Sequence, residues 1–370
     1  MTLRRVLAWI ALAIPLAALL ALFVGYWLSD NDCGDPAVTP PSRPMQAIVR
    51  CDYGTADVLR LEQVETPVPG ADEILVRVRA AAINPLDWHE MRGTPYLMRL
   101  GSGLRKPKDT RLGVDFAGTV EAVGGNVTRF KPGDAVFGGR SGALAEYVVV
   151  RQDGAVAPKP TNLSFEQAAT AGIAAITALQ ALRDGGRLQA GEKVLINGAS
   201  GGVGTFAVQI AKSLGAEVTG VSSTRNLELV RSLGADYVLD YTREDYPAGG
   251  QLYDVILDNV GNRSLADNRR VLTPTGRYVL VGGGGPDAGN WIGPMLKPLQ
   301  AVLLSPFVSQ DMGMFLASFS NEDMQRLAEL MQSGAVTPVI DRRYPLSETA
   351  EAIRYLEQGR ARGKVVITVE

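Results

Sequence analysis

The sequence predicts an α/β protein, a doubly wound parallel sheet joined to a mainly β unit, with one apolar helix ahead of both. Three observations carry this prediction. Residues 193–204, KVLINGASGGVG, run from a short apolar strand through a glycine-rich turn into a helix. Strand and helix patterns alternate over residues 165–307, which is the mark of a doubly wound sheet. Residues 45–162 are instead short strands with turn signals between them.

The first segment stands apart. Residues 6–28 carry no charge, are long enough at helical rise to cross a bilayer, and place Trp9, Tyr26 and Trp27 near the ends as interfacial anchors. A single-pass membrane anchor is expected, with the Pro-rich residues 35–44 as a linker. Arg4 and Arg5 precede the helix while Asp30, Asp32 and Asp35 follow it, which favours a cytoplasmic N-terminus and an external domain. The cofactor argued below is cytoplasmic, so the side of the membrane is left open. The net charge of −2 over 370 residues argues against a nucleic-acid partner. Two cysteines, Cys33 and Cys51, and one histidine, His89, are too few for a disulfide framework or a four-ligand metal site.

In the β unit, residues 74–80 alternate, residues 118–123 and 135–137 are apolar runs, and Lys131-Pro132-Gly133-Asp134 is a turn. In the parallel unit, Val194, Leu195 and Ile196 read as a buried strand. Ala199, Ser200, Gly201, Gly202, Val203 and Gly204 follow as A-x-G-x-x-G, with Ala199 in place of the usual first glycine. Gly201 would admit a pyrophosphate close to the backbone, and Gly204 would let helix and strand pack. The helix is marked by Val203, Phe206, Ala207, Ile210, Ala211 and Leu214, ending at Gly215.

The strand at residues 217–221 should end on an acidic residue if it met a free ribose 2′-hydroxyl. It ends on Ser222, Ser223, Thr224, Arg225 and Asn226, hydroxyls and a guanidinium that suit a 2′-phosphate. NADPH is the expected cofactor. Thr224 also reads as the cap of a helix over residues 226–233. Further strands are expected at residues 237–240, 254–258 and 277–281. A helix at residues 321–331, a strand ending near Ile340 and a last strand at residues 364–369 complete the chain.

From Met45 to Glu370 the chain resembles the medium-chain dehydrogenase/reductase superfamily, in its zinc-independent quinone oxidoreductase branch. The resemblance rests on Ala82-Ile83-Asn84-Pro85-Leu86-Asp87, Gly113-Val114-Asp115-Phe116-Ala117-Gly118, Phe130-Lys131-Pro132-Gly133-Asp134, Glu146-Tyr147, and the glycine loop with Gln209 and Lys212. It implies a Rossmann cofactor domain (165–307) inserted in a GroES-like catalytic domain (45–164, completed by 308–370), behind an anchor and linker (1–44). The active site would lie in the cleft between the two.

Zinc-dependent members typically carry G-H-E-x-x-G where this chain has Gly113 to Gly118. Val114 cannot ligate a metal, and no cysteine lies near Asn84. Acceptors that are already activated then remain, namely quinones and α,β-unsaturated carbonyls. The resemblance places Asn84 beside nicotinamide and substrate, where its amide would donate to the developing oxyanion; a buried turn asparagine before Pro85 is the other reading. His89 stands where some relatives have tyrosine and is a candidate proton donor, with solvent as the alternative and Tyr96 as a further candidate. Asp87 is read as fixing the loop. Tyr241 matches a tyrosine near the adenosine phosphate, while Asn259, Gly282 and Gly283 end strands facing the nicotinamide half. Arg360, Arg362 and Lys364 either add charge at the 2′-phosphate or form a solvated cluster. The apolar residues 292–304 could line a lipophilic pocket, touch the bilayer or, as the resemblance to dimeric reductases suggests first, form the interface of a homodimer. Two other functions stay open: a zinc-independent aldehyde or ketone reductase, and a non-catalytic NADPH-binding protein at the membrane.

Overall fold

The computed structural model describes residues 14, 20–31, 33, 41–283, 285, 289, 291 and 293–369. Of the expected membrane span, only Ile14 and residues 20–28 fall within this set; residues 20–27 are helical, and most of their side chains are exposed. No helix among the described residues is long and apolar enough to cross a membrane. The rest of the span, and residues 34–40 of the linker, lie outside the described residues.

Two large sheets organise the molecule. The first is parallel and six-stranded, in the order β10, β9, β8, β11, β12, β13, where β8 is Lys193–Asn197, β9 Glu217–Ser222, β10 Tyr237–Asp240, β11 Tyr253–Asp258, β12 Leu272–Leu280 and β13 Asp311–Met314. Val194, Leu195 and Ile196 are fully buried, as are Val255, Ile256 and Leu257 beside them. Helices cover both faces of a sheet of this kind, so its central strands read as unbroken apolar runs. The expected end of this unit at residue 307 falls short of β13, which extends the sheet through parallel pairing with β12.

The second sheet is built from β3 (Glu73–Ile83), β4 (Asp115–Val123), β5 (Ala135–Gly139), β6 (Tyr147–Arg151), β7 (Val156–Pro158), β14 (Ile340–Pro345) and β15 (Lys364–Thr368). A hairpin-like pair, β1 (Pro44–Val49) and β2 (Arg60–Glu65), stands beside it. The long strand β3 changes partner along its length. Its first half pairs with β6 and its second half with β15, while β4 runs along its other edge. The alternation at Arg77 and Arg79 therefore gives way to four consecutive buried residues, Ala80 to Ile83. The Lys131–Asp134 turn forms as expected, with Gly133 at φ 94° and Lys131 N donating to Asp134 Oδ2 at 2.9 Å.

Two sequence expectations are corrected. The strand placed before Ile340 begins there, because Ile340–Pro345 is a charged edge strand that pairs only with β15 and needs no apolar run. The helix expected from Asn226 is a 3-10 turn at Thr224–Asn226 followed by an α-helix at Leu227–Ser232, and Thr224 does not cap it. The left-handed residue of the glycine turn is Gly198, at φ 79°, one position before Ala199. The two cysteines, too few for a framework, are bonded to each other as Cys33–Cys51.

Candidate active site

A cleft of about 880 Å³ runs between the two sheets, beyond the carboxyl ends of β8, β9 and β11. This is the position at which open α/β sheets take their ligands. Its wall on the parallel-sheet side starts where β8 turns into the helix Gly202–Ser213. A Cβ at Gly204 would fall 2.1 Å from the Gly198 carbonyl oxygen, so only glycine allows this turn to close. At Gly201 the nearest atom to such a Cβ is 3.4 Å away, which leaves that residue facing open space in the cleft. The first N–H groups of the helix have no partner within it by geometry and flank that space. Gln209 locks the helix to the C-terminal segment: its amide donates to Thr337 O at 3.0 Å and accepts from Thr337 N at 2.8 Å.

Further along the same wall lie Ser222, Ser223, Thr224, Arg225, Asn226 and Tyr241. Arg225 donates to the Arg360 carbonyl at 2.8 Å, which holds its guanidinium across the cleft from β9 to the C-terminal segment. The nearby carboxylate of Asp240, in register opposite Ser222, does not line the cleft. Thr224 Oγ1 donates to it at 2.5 Å and Thr242 Oγ1 at 2.7 Å, and these bonds with Asp240 hold its carboxyl below the usual range. Three buried polar atoms on this wall have no hydrogen-bonding partner in the protein: Ser222 Oγ, Asn226 Oδ1 and Asn259 Oδ1. Buried polar groups are ordinarily satisfied, so three orphans along one cleft mark a surface shaped for a polar ligand.

The floor is contributed by the β-rich sheet. Register sets Ile83 opposite Val365 and Ala82 opposite Asp115, which brings Asn84, Asp115 and Lys364 to one point. The Lys364 ammonium donates to Asn84 Oδ1, to Asp115 Oδ2 at 3.2 Å and to the Ile83 carbonyl at 3.2 Å. Asn84 Nδ2 donates to Asp115 Oδ2 at 3.0 Å and to the Ala82 carbonyl at 3.4 Å. A flipped amide would set N–H against the ammonium and oxygen against the carboxylate, so this orientation is fixed. Burial pushes the Asp115 carboxyl up, with the Lys364 ammonium pulling the other way. Its second oxygen accepts from Ile173 N at 2.7 Å. Asn84 lines the cleft, yet both its N–H groups are engaged within the floor, which corrects the expectation that they are free to donate to substrate.

Of the sequence candidates for the dinucleotide, Ser200, Gly201, Gly202, Val203, Gly204, Ser222, Ser223, Arg225, Tyr241 and Asn259 line the cleft together. Ala199 is buried behind it, and a Cβ at Gly220 would meet its methyl at 3.1 Å. Gly282 and Gly283 are not among the described lining residues, and a Cβ at Gly282 would fall 2.6 Å from the Asn259 carbonyl oxygen. Gly284 lies outside the described residues.

His89 and Tyr96 do not line the cleft. His89 stacks on Trp88 at 3.7 Å and its Nδ1 is 2.7 Å from the Thr94 carbonyl; burial pulls its pKa down, with the Thr94 carbonyl acting the other way. Tyr96 packs edge-on against Trp291 and under the Arg99 guanidinium. Asp87 closes a capping box with Asn84 N at 2.6 Å, the loop-fixing part expected of it. Lys364 is neither solvated nor at the phosphate end: it is 3% exposed on the floor. Sequence reasoning missed this because a lysine among Arg360 and Arg362 reads as surface charge. The only signal was its place at the start of an apolar strand.

Among the described residues that line the cleft there is no His, Cys, Asp or Glu. No group of three such side chains among the described residues is placed to hold a metal ion.

Comparison with known proteins agrees with this geometry. Residues 70–161 match the alcohol dehydrogenase GroES-like domain, and residues 233–367 match a family described as zinc-binding dehydrogenase. The chain is 35% identical to 2-methylene-furan-3-one reductase of Solanum lycopersicum, over 90% of this chain and 80% of that one. It is 34% identical to quinone oxidoreductase of Mus musculus, over 87% and 97%. The chain belongs to the medium-chain dehydrogenase/reductase superfamily, in its quinone oxidoreductase-like branch. The solved quinone oxidoreductase of Coxiella burnetii superposes with a TM-score of 0.77 at 30% identity, covering 89% of this chain and all of that one. The superfamily's pairing of a GroES-like β unit with a parallel Rossmann sheet is the architecture seen here.

Proposed function

We propose that this oxidoreductase uses NADPH to reduce quinones or α,β-unsaturated carbonyls without zinc, and that its N-terminal segment tethers it to a membrane. The observation that carries the reading is the make-up of the cleft. One wall has a glycine turn, a helix start and three orphaned polar atoms, and the described residues of the lining include no Asp, Glu, His or Cys. Relatives named for NADPH-dependent alkenal/one reduction in Arabidopsis thaliana and for quinone reduction support the substrate class.

When bound, the reduced nicotinamide nucleotide supplies a hydride to the acceptor. The residues of this chain bind and orient. Gly201 to Gly204 and the helix start hold the pyrophosphate, and Ser222, Ser223 and Arg225 hold the 2′-phosphate with no carboxylate of the lining to repel it. Asn84 and Lys364, with the Asp115 carboxylate buried beneath them, form a floor whose donors are satisfied internally, so it fixes geometry and does not protonate. With His89 turned to Thr94, the proton that completes the reduction comes from solvent. This also weakens the aldehyde and ketone reading, because an unactivated carbonyl needs a proton donor stronger than an asparagine and His89 does not line the cleft.

The test is oxidation of NADPH and NADH by the full chain in detergent, against quinones, enones, aldehydes and alcohols, with and without chelator. Chelator-resistant NADPH oxidation by quinones or enones is expected. Tight NADPH binding without turnover on any acceptor would replace the reading with a non-catalytic one.

A further inference from the structure

Cys33 and Cys51 are the only cysteines of the chain, and they are bonded across a Cα separation of 5.7 Å. The bond sits where the apolar N-terminal helix meets the folded domain. Ser29, two residues past the helix, has its hydroxyl 3.3 Å from the Lys106 carbonyl and accepts from Arg105 N at 3.2 Å. Asp30 pairs with Lys106 at 3.2 Å. Asn31 donates to the Cys51 carbonyl at 2.7 Å, and Cys33 then bonds to Cys51 itself. The two half-buried cysteines pack with Val64 and Tyr147 on a small core of Met45, Ala47, Val49 and Ala145. The exit of the helix is thus held against the domain through Ser29, Asp30, Asn31 and Cys33, the last of them covalently.

Paired thiols of this kind stay reduced in a cytoplasm and persist as disulfides in oxidising compartments. An independent feature points the same way: Arg4 and Arg5 lie before the apolar stretch and Asp30, Asp32 and Asp35 after it. We propose that Cys33–Cys51 is a native staple formed outside the cytoplasm, so the catalytic domain faces the oxidising side of the membrane and the N-terminus the cytoplasm. The proposal rests on the membrane tether proposed above. The bond forms by thiol–disulfide exchange with a protein thiol oxidase: the two thiols give up two protons and two electrons, and the oxidase disulfide becomes a dithiol.

The full chain, with a C-terminal tag, is expressed in a bacterial host, quenched in acid, and alkylated under denaturing conditions with a maleimide that adds mass. No adduct is expected without reductant and two adducts with it, whereas Cys51→Ser should give one adduct in either condition. Protease added to spheroplasts should remove the tagged domain. Two free thiols in quenched wild-type cells, or a domain cleaved only in inverted vesicles, would overturn the proposal. Recovery of the whole chain in the carbonate-soluble fraction would instead remove the tether, and the orientation with it.

Discussion

The Lys364 ammonium and the Asp115 carboxylate meet 3.2 Å apart at the floor of the cleft, both almost wholly buried and both bonded to the side chain of Asn84. They come from β15 and β4, which lie on opposite edges of β3, so the pair ties the C-terminal strand to the β unit beneath the site. Removing one partner of such a buried pair leaves the other uncompensated, at a cost of about 3–5 kcal/mol. Lys364→Met should therefore lower the urea midpoint sharply, and adding Asp115→Asn should recover part of the loss. A loss in the double variant equal to the sum of the losses in the two single variants would show that the pair is not coupled.

Arg225 tests the cofactor argument. A charged hydrogen bond to phosphate contributes about 1.5–3 kcal/mol, or one to two decades in affinity. Arg225→Glu should weaken NADPH binding by that factor and leave NADH nearly unchanged, as read by titration calorimetry. An unchanged ratio of the two affinities would remove Arg225 from phosphate recognition.

Gly204 and Gly201 sit three residues apart and should respond differently. A methyl at Gly204 would fall 2.1 Å from a backbone oxygen, so Gly204→Ala should force a backbone shift costing about 1–3 kcal/mol and lower the melting temperature. At Gly201 there is room for the methyl within the protein. Gly201→Ala should melt as the wild type does and lose dinucleotide affinity. Equal melting temperatures for all three proteins would contradict the packing argument.

Asp87 gives a pH dependence. Burial raises its carboxyl to about 8, and the buried Oδ1 has no partner in the protein. The folded state then holds a proton that the unfolded chain releases near pH 4, so this stability is full below about pH 4 and is lost as pH rises towards 8. The wild-type melting temperature should fall across pH 5 to 8. Asp87→Asn keeps an acceptor for Asn84 N and should flatten that fall; two parallel melting curves would show that Asp87 is ionised throughout.

The sequence by itself determined the elements whose signals are local. The run Val194 to Ile196, the glycines at 201 and 204 and the apolar stripe of the following helix announce a dinucleotide fold, because strand burial, turn geometry and helical periodicity each depend on neighbouring residues. The replacement of an acidic residue by Ser222 and Arg225 was legible for the same reason. Only the tertiary structure decided what depends on register and partnership. Lys364 reads as surface charge until β15 pairs with β3 and sets it beside Asn84, 280 positions away in sequence. His89 reads as a proton donor until its Nδ1 meets the Thr94 carbonyl. Cys33 and Cys51 read only as too few for a framework or a metal site until the chain turns back on itself and brings them into bonding distance. A side chain's chemistry is set by the partner that occupies its polar atoms, and those partners are brought together by sheet register and chain reversal, which local sequence patterns do not encode.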